Sequence, residues 1–491
     1  MSGNDARDFP FPRLGRRGFL AGISAVAVPT ALGGLTAGGA QAAPRAPRQS
    51  RTIVYGTVLH FLRDPGTQPD PQAWQLFDPG ALVVGADGHV EWVGAEQDVP
   101  PELGNGATPI DHRGNLVVPG FVDAHIHASQ VDVIASYGEQ LLQWLQKYVF
   151  PAEKAFSSAE HSRMISGLFL DTLLAAGTTT ATVHPTVHKT SVDAFFQEAQ
   201  ARGMRMLAGK VLMDREPYAP PDLKDASVQQ AEADTRELID RWHQKDRLTY
   251  SITPRFAPSS TEQLLQMVGR LYHERPDLWL QTHAAENKEE VDTVHQLFGG
   301  RSYIDVYDRY QMLGNRSVYA HSIYIDDQDR TRLSQTGSSI AFCPTSNLFL
   351  GSGLFDLDAA RGAGVRVGLG TDIGAGTSYS LLATLNEAYK VLALQQQKLP
   401  AMRGFYLATL GGAEALYVSD RIGNFQVGKE ADFTVLDWAA TPVLKRRMDV
   451  AKDFQERLFA LMTLGDERAV RATYVLGQRK YDRPAGVQLP S

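Results

Sequence analysis

The strongest constraint on the fold is an alternation of strand-like and helix-like segments, repeated eight times along the middle of the chain. Apolar runs end in polar residues and are followed by stretches with helical spacing, such as Ser191–Arg202 and Thr261–His273. Strands that alternate with helices of this length form parallel sheets. The sequence therefore predicts an α/β fold, the (β/α)8 or TIM barrel. The predicted strands are Leu116–His127, Thr178–His184, Met204–Met213, Leu248–Phe256, Trp279–Glu286, Ser317–Tyr324, Ser338–Ser346 and Val365–Thr371.

Both flanks of the barrel segment are rich in β-type sequence. Thr52–Leu62 comes early, and Ala81–Val84 and His89–Val93 flank an Asp-Gly turn typical of a hairpin. Similar runs return at Gly428–Leu436 and Arg471–Gly477. We expect the two ends to build one small β-sandwich. The predicted divisions are a signal peptide (1–42), a linker (43–51), the first part of the sandwich (52–116), the barrel (117–422), the second part of the sandwich (423–485) and a tail (486–491).

The first residues have the pattern of a targeting signal. Paired arginines and Phe-Leu in Arg16–Leu20 precede a Gly/Ala-rich apolar stretch, and Ala40–Ala42 fits a signal-peptidase site. This pattern resembles a twin-arginine (Tat) signal and predicts export by the Tat machinery, to the periplasm or the outside of the cell. An uncleaved membrane tether is the alternative. No other segment approaches ~18 consecutive apolar residues, so the mature chain is not expected to span a membrane.

Charge and cysteine content narrow the classes of partner. The net charge is −7 and no basic patch stands out, which does not favour binding to nucleic acid or to an anionic membrane. The single cysteine, Cys343, excludes an intrachain disulfide. Since it lies in the apolar run Ile340–Cys343, we interpret it as a core residue.

The polar residues at the predicted strand ends suggest a metal site. Side chains on a strand alternate between faces, so His125 and His127 point the same way. Barrel enzymes place their chemistry at these carboxyl ends. Three imidazoles and a carboxylate can hold zinc with one position open for water, whose pKa the metal lowers. The later strand ends supply Arg255, His283, Glu286, His321 and Asp372.

The sequence around His283 differs from that around His184 and His188, and the difference suggests different roles. Glu286 follows His283 by three residues and could shuttle protons beside a metal-activated water. His184 and His188 follow the second strand, where Pro185 favours a loop. We interpret these two as structural, or as neighbours of the metal ligands.

Several longer segments resemble one family. The run Pro119–His127, the later His283 and Glu286, and the ends of strands six and eight are similar to the signature of the amidohydrolase superfamily. More narrowly, the chain resembles bacterial members of the guanine deaminase family over nearly all of residues 52–480. The stretches that carry this likeness are His125–Gln130, Leu142–Glu153, Gly177–Thr180, Gly209–Asp214, Thr253–Phe256, His283–Asn287, Cys343–Asn347 and Gly370–Gly376.

The resemblance implies a set of roles. It implies one zinc ion per chain, and the absence of a lysine at the end of strand four agrees with a single metal. Guanine would be the substrate, xanthine and ammonia the products, and the protein a homodimer. The implied metal ligands are His125, His127, His283 and Asp372; the implied catalytic residues are Glu286, His321 and Asp372; the implied substrate contacts are Gln130, Trp144, Arg255, Phe256 and His283.

Two other functions remain open at this point. Because barrels host many chemistries, the same site could deaminate another heterocycle, such as a modified purine, a pterin or a triazine. The implied purine contacts Gln130 and Arg255 argue against this alternative. The chain could also be a non-catalytic barrel that serves as a scaffold. Such proteins lose their metal ligands, whereas this sequence retains the complete set.

Overall fold

The structure is a computed structural model that describes residues 50–484. The predicted signal peptide, most of the predicted linker and the tail at 486–491 lie outside the described residues. Within the described range, no helix has both the length and the apolar character needed to cross a bilayer.

The centre of the molecule is a sheet of parallel strands that curls into a barrel. Its order is β13-β12-β11-β10-β9-β7-β6-β5, with the short β8 paired to β9. At the carboxyl ends of the strands, two hydrogen bonds link the last strand to the first. The N–H of Asp372 donates to the carbonyl of His125 (3.0 Å), and the N–H of His127 donates to the carbonyl of Ile373 (3.1 Å). The predicted (β/α)8 barrel is confirmed. Its strands are Phe121–His127 (β5), Thr178–His184 (β6), Arg205–Ala208 (β7), Val211–Leu212 (β8), Thr249–Pro254 (β9), Trp279–Ala284 (β10), Ser317–His321 (β11), Ser339–Phe342 (β12) and Arg366–Leu369 (β13).

Helices cover the outside of the barrel. One of them begins after Thr261, whose hydroxyl accepts the N–H of Leu264 (3.2 Å), and it buries an apolar face against the strands. A 3₁₀ segment, Ala128–Val133, follows β5, and a π-helical turn, Leu145–Val149, joins α2 to α3. The α-helices are Pro101–Gly104 (α1), Leu141–Trp144 (α2), Phe150–Lys154 (α3), Ala159–Ala175 (α4), Lys189–Arg202 (α5), Val228–Trp242 (α6), Glu262–Glu274 (α7), Lys288–Leu297 (α8), Tyr303–Arg309 (α9), Asp327–Thr336 (α10), Pro344–Phe349 (α11), Leu357–Gly362 (α12), Leu381–Leu394 (α13), Ala401–Ala408 (α14), Leu410–Ala415 (α15), Pro442–Val450 (α16) and Phe454–Leu464 (α17).

A second sheet has seven strands and draws on both ends of the described chain. Its order is β16-β15-β14-β4-β1-β2-β3, and every neighbouring pair is antiparallel except β1 with β4. The expectation that the two flanks fold together is confirmed. The strands are Thr52–Phe61 (β1), Trp74–Val84 (β2), Val90–Ala95 (β3), Thr108–Pro119 (β4), Phe433–Asp437 (β14), Val470–Val475 (β15) and Gln478–Asp482 (β16).

The junction between the two sheets falls inside the predicted strand Leu116–His127. That run is divided at Gly120 into β4, which belongs to the small sheet, and β5, the first barrel strand. The N–H of Gly120 donates to the carbonyl of Asp432 (2.9 Å), and a Cβ here would lie 2.2 Å from Oγ1 of Thr179. The chain can change sheets at this point because glycine leaves room for Thr179. The barrel therefore begins at residue 121 and not at 117 as predicted.

A network of buried charges joins the barrel to the small sheet. Arg205 starts β7, Arg247 precedes β9, and Glu430 and Asp432 precede β14. Arg247 Nη2 lies 2.6 Å from both Glu430 Oε2 and Asp432 Oδ2, and Arg205 Nε donates to Glu430 Oε2 (2.9 Å). All four side chains are buried, so their mutual pairing is what makes their burial tolerable.

Candidate active site

The predicted metal ligands converge at the carboxyl end of the barrel. His125 and His127 end β5, His283 lies in β10, and Asp372 follows β13. The Nε2 atoms of His127 and His283 are 3.1 Å apart. Oδ1 of Asp372 lies 3.2 Å from His125 Nε2 and 3.3 Å from His127 Nε2. His321, at the end of β11, faces the same centre, with its Nε2 3.7 Å from Asp372 Oδ2.

Hydrogen bonds from the opposite ring nitrogens fix two of these imidazoles. His283 Nδ1 donates to the carbonyl of Arg255 (2.7 Å), and His321 Nδ1 donates to Oδ1 of Asn347 (2.9 Å). Such bonds select the tautomer in which Nε2 carries a lone pair toward the centre. His321 (φ 69°) and Asp372 (φ 51°) also adopt the left-handed backbone region, which is disfavoured for these residues and common at functional sites.

Asp123 connects the first and last strand ends beneath the cluster. Its Oδ1 accepts the N–H groups of His125 and Thr371, both at 3.1 Å, and its Oδ2 accepts the Thr371 hydroxyl. Burial raises the pKa of this carboxyl to about 7, although these hydrogen bonds oppose the rise. Because Thr371 precedes Asp372, Asp123 holds ligands on both strands in register.

The donor set fits a transition-metal ion. Ligand atoms of His125, His283, His321 and Asp372 all lie within 4.8 Å of one another, and the same holds for His125, His127 and His184. Among the described residues, the buried Nε2 atoms of His125 and His321 have no hydrogen-bond partner. His125 Nε2 thus lies close to Asp372 without hydrogen-bond geometry, as expected for atoms directed at a shared ion. Imidazole and carboxylate are ligands that zinc accepts.

His184 belongs to this cluster more closely than its sequence context indicated. Its ring centroid lies 4.9 Å from that of His125 and 4.8 Å from those of His127 and His283. It is fully buried, and within the described chain neither ring nitrogen has a hydrogen-bond partner. The signal that could have identified it is its position as the last residue of β6, like the other strand-end residues. His188, at the start of α5, is outside both groups of ligand atoms.

Glu286 lies beside the cluster as a buried carboxyl. Its Oε2 is 3.4 Å from His321 Nε2, and its Oε1 accepts the hydroxyl of Ser352 (3.3 Å). Burial, together with the nearby charge of Asp372, raises the pKa of Glu286 well above its usual range. A raised pKa makes this carboxyl a stronger proton acceptor than a free one, which suits a group that takes up a proton and passes it on.

A pocket opens onto the cluster. The five residues predicted to contact the substrate all line it, which brings Gln130, Trp144, Arg255 and Phe256 to the same space as His283. The lining combines the polar cluster with apolar side chains, a composition that suits a flat heterocycle with polar edges. The remaining lining residues are His127, Leu141, Leu145, Glu286, His321, Leu350, Asp372 and Ala375.

Two of the polar lining residues are held by specific partners. Oε1 of Gln130 accepts the N–H of Gly374 (3.2 Å), which leaves its amide NH₂ group as a donor. Arg255 Nη1 donates to both carboxylate oxygens of Glu153. Sequence reasoning gave no role to Glu153, Asn347 or Ser352. Glu153 and Asn347 lay within the segments that carried the family resemblance, and that was the available signal for them.

Comparison with known proteins gives one consistent result. The amidohydrolase family matches residues 116–480. The guanine deaminase of Escherichia coli (strain K12) is 48% identical over 412 residues, which cover 84% of this chain and 93% of that protein. The solved E. coli guanine deaminase superposes with a TM-score of 0.83 at 46% identity, covering 88% of this chain and 100% of the other. A guanine deaminase from C. acetobutylicum with guanine bound in its active site gives a TM-score of 0.79 at 28% identity, covering 87% and 99% of the two chains.

Proposed function

The chain belongs to the amidohydrolase family, and from this premise we propose that it hydrolyses guanine to xanthine and ammonia. The likeness to guanine deaminases, which extends over most of the chain, carries this assignment. The pocket agrees with it, because a metal-type cluster and the predicted purine contacts share one cavity.

The metal we propose is zinc, with one ion per chain. His125, His127, His283 and Asp372 would hold it, and their spacing supports a common ion. Zinc bound there would supply a water of lowered pKa, a nucleophile at neutral pH.

The side chains around the cavity would carry out the proton transfers and orient the reacting groups. Water adds its oxygen to C2 of guanine, while Glu286 takes a proton from that water and passes it to the adjacent ring nitrogen. The lone pair on Nε2 of His321 accepts a hydrogen bond from the water or from the purine edge, in an orientation that Asn347 fixes. A second proton reaches the exocyclic amino group, the C2–N bond breaks, and ammonia leaves. Water thus supplies the oxygen of xanthine, the proton that the ring nitrogen keeps and, from the added hydroxyl group, the one proton that the departing amino group requires.

The other end of the pocket would orient the purine. Arg255 is suited to the carbonyl oxygen at C6, because its guanidinium is always charged and acts only as a donor. Gln130 would donate its amide N–H to an acceptor on the ring. Phe256 and Trp144, both buried, would cover the faces of the ring.

The decisive experiment is a comparison of substrates by ultraviolet absorbance. Zinc-loaded protein should convert guanine faster than other aminopurines, pterins or aminotriazines, and chelation should abolish turnover until zinc is restored. Faster turnover of a pterin or triazine would reassign the substrate while keeping the reaction class. No turnover of any heterocycle by metal-loaded protein would favour the scaffold alternative.

We further propose that the protein is exported by the Tat route and acts as a homodimer. The paired arginines and the Ala40–Ala42 site support export, and the family resemblance supports the dimer. Replacing Arg16 and Arg17 with lysine should retain the protein in the cytoplasm in a cell-fractionation assay. Light scattering of the purified protein should give twice the chain mass, whereas a single-chain mass would contradict the dimer.

A further inference from the structure

We propose that Glu153 is a positioning residue that orients Arg255 and thereby makes the pocket selective for purines that carry a carbonyl oxygen at C6. The inference rests on the proposed function, since it concerns how the same pocket recognises guanine. It assigns a role to a side chain that does not line the cavity.

The contact between the two side chains is close and buried. Arg255 Nη1 lies 2.8 Å from Oε2 and 3.0 Å from Oε1 of Glu153. Glu153 has no exposed surface, and Arg255 is 3% exposed. Within residues 50–484, Glu153 is the only acidic partner of this guanidinium. A buried arginine needs such a partner, because its charge cannot be removed by deprotonation.

The geometry leaves the remaining donors of Arg255 available to a ligand. Both bonds leave from Nη1, and a guanidinium has five N–H donors in a rigid plane. The group also lies over the ring of Phe150, 5.2 Å from its centroid. An ion pair at one corner and a ring beneath the plane restrict how the guanidinium can turn. The donors on Nη2 and Nε are therefore held in fixed directions.

Glu153 is itself tied to the other polar contact of the pocket. The Ser129 hydroxyl lies 3.3 Å from Oε1 of Glu153 and 3.1 Å from the carbonyl of Pro185. Ser129 directly precedes Gln130, the second predicted purine contact. The same carboxylate thus supports both ends of a two-point recognition of the purine edge.

The selectivity depends on whether the ligand presents a hydrogen-bond acceptor or a donor to Arg255. A carbonyl oxygen accepts from the fixed guanidinium donors, whereas an amino group at the same position would place donor against donor. A ligand with only hydrogen there would leave the guanidinium donors without an acceptor. If Glu153 is removed, the guanidinium can turn away and this preference should weaken.

The test uses two ligands that lack the amino group at C2 and differ at C6 and in the protonation of the adjacent N1. Hypoxanthine has the oxygen at C6 and unsubstituted purine lacks it, and both are measured as competitive inhibitors of guanine turnover and by thermal shift. In Glu153→Gln, we expect the inhibition constant of hypoxanthine and the KM of guanine to rise by about 10-fold or more. Inhibition by purine should change by less than about twofold, and kcat should fall much less than KM rises.

Two control variants keep the outcomes separate. Glu160→Gln makes the same chemical change at an exposed position away from the cavity and should behave like the wild type. Ser129→Ala keeps the ion pair of Glu153 with Arg255 but removes the Ser129 hydroxyl that contacts Glu153. It should weaken inhibition by hypoxanthine more than inhibition by purine, to a smaller degree than Glu153→Gln does. This variant tests the proposal even if Glu153→Gln does not fold. Equal weakening of both inhibitors in the two variants would overturn the proposal while the proposed function stands. Wild-type protein that does not deaminate guanine would overturn both.

Discussion

At the scale of single residues, Glu286 is fixed through both its backbone and its side chain. Its N–H donates to Oε2 of the buried Glu290 (2.8 Å), and the other oxygen of Glu290 accepts the hydroxyl of Tyr303 (2.5 Å). Ser352 donates to the Glu286 carboxyl from the opposite side. A shuttle held in this way can move protons beside His321 with little reorganisation, which is the condition for efficient proton transfer.

This arrangement predicts the effect of removing the shuttle. Glu286→Gln keeps the shape of the side chain but cannot accept a proton, so kcat for guanine should fall by about 10²–10⁴-fold. Metal content, measured by inductively coupled plasma mass spectrometry, should remain that of the wild type, since Glu286 is not an expected ligand. Glu289→Gln, at an exposed position on the same turn, is the matched control. Activity of Glu286→Gln within a few-fold of the wild type would refute the assigned role.

The residues that the strand pattern alone could predict share one property, which is their place at the end of a strand. His125, His283 and Asp372 follow apolar runs, and a barrel brings such ends together whatever their separation in sequence. Glu153 and Ser352 lie on a short helix and a loop, and they reach the site through tertiary contacts that no local pattern records. The ion pair with Arg255 could therefore be recognised only from the three-dimensional structure.

At the scale of elements, the strands end earlier than their apolar runs. The predicted strand Ser317–Tyr324 ends at His321, where the backbone turns left-handed. The predicted strand Ser338–Ser346 ends at Phe342, and α11 starts at Pro344, a residue suited to the first turn of a helix. A run of apolar residues indicates burial, and buried residues continue beyond the strands into these loops. The apolar pattern therefore located the strands but not the residues at which they end.

The division between β4 and β5 predicts a steric effect of substitution. Gly120→Ala would place a Cβ against the Thr179 side chain, so we expect the free energy of unfolding to fall by about 1–3 kcal/mol. The thermal midpoint at fixed zinc concentration measures the change. Gly362→Ala is the matched control, because nothing lies within 4 Å of its Cβ and it is helical. That control should be neutral or stabilising by about 0.5–1 kcal/mol. Equal midpoints for the two variants would contradict this account of the junction.

At the scale of the whole molecule, the buried charge network between the barrel and the small sheet depends on pH. Burial alone would raise the pKa of Glu430, but Arg247 and Arg205 outweigh it, and the pKa is lowered from its ordinary value of 4.5. A carboxyl whose folded pKa is depressed stabilises the fold above the unfolded pKa and loses that contribution as pH falls. The stabilisation should therefore be complete at neutral pH and decline below about pH 4.5.

Glu430→Gln tests this interpretation. At neutral pH this substitution removes a negative charge from beside the buried guanidinium groups of Arg205 and Arg247. We therefore expect the free energy of unfolding to fall by about 3–5 kcal/mol. The difference in thermal midpoint between variant and wild type should narrow as the pH is lowered through 4.5. Glu414, which bonds Tyr406 within the barrel helices, offers a control outside this network. If the difference in thermal midpoint stayed constant with pH, the network would not provide the pH-dependent stabilisation described here.

The mixed origin of the small sheet also affects how the protein is made. β4 pairs on one side with β1, which precedes it, and on the other with β14, which is synthesised more than 300 residues later. Throughout translation of the barrel, one edge of β4 has exposed N–H and C=O groups and can pair with a neighbouring nascent chain. A polypeptide released before residue 433 would keep that edge permanently, so incomplete chains should aggregate even when their barrel segment is complete.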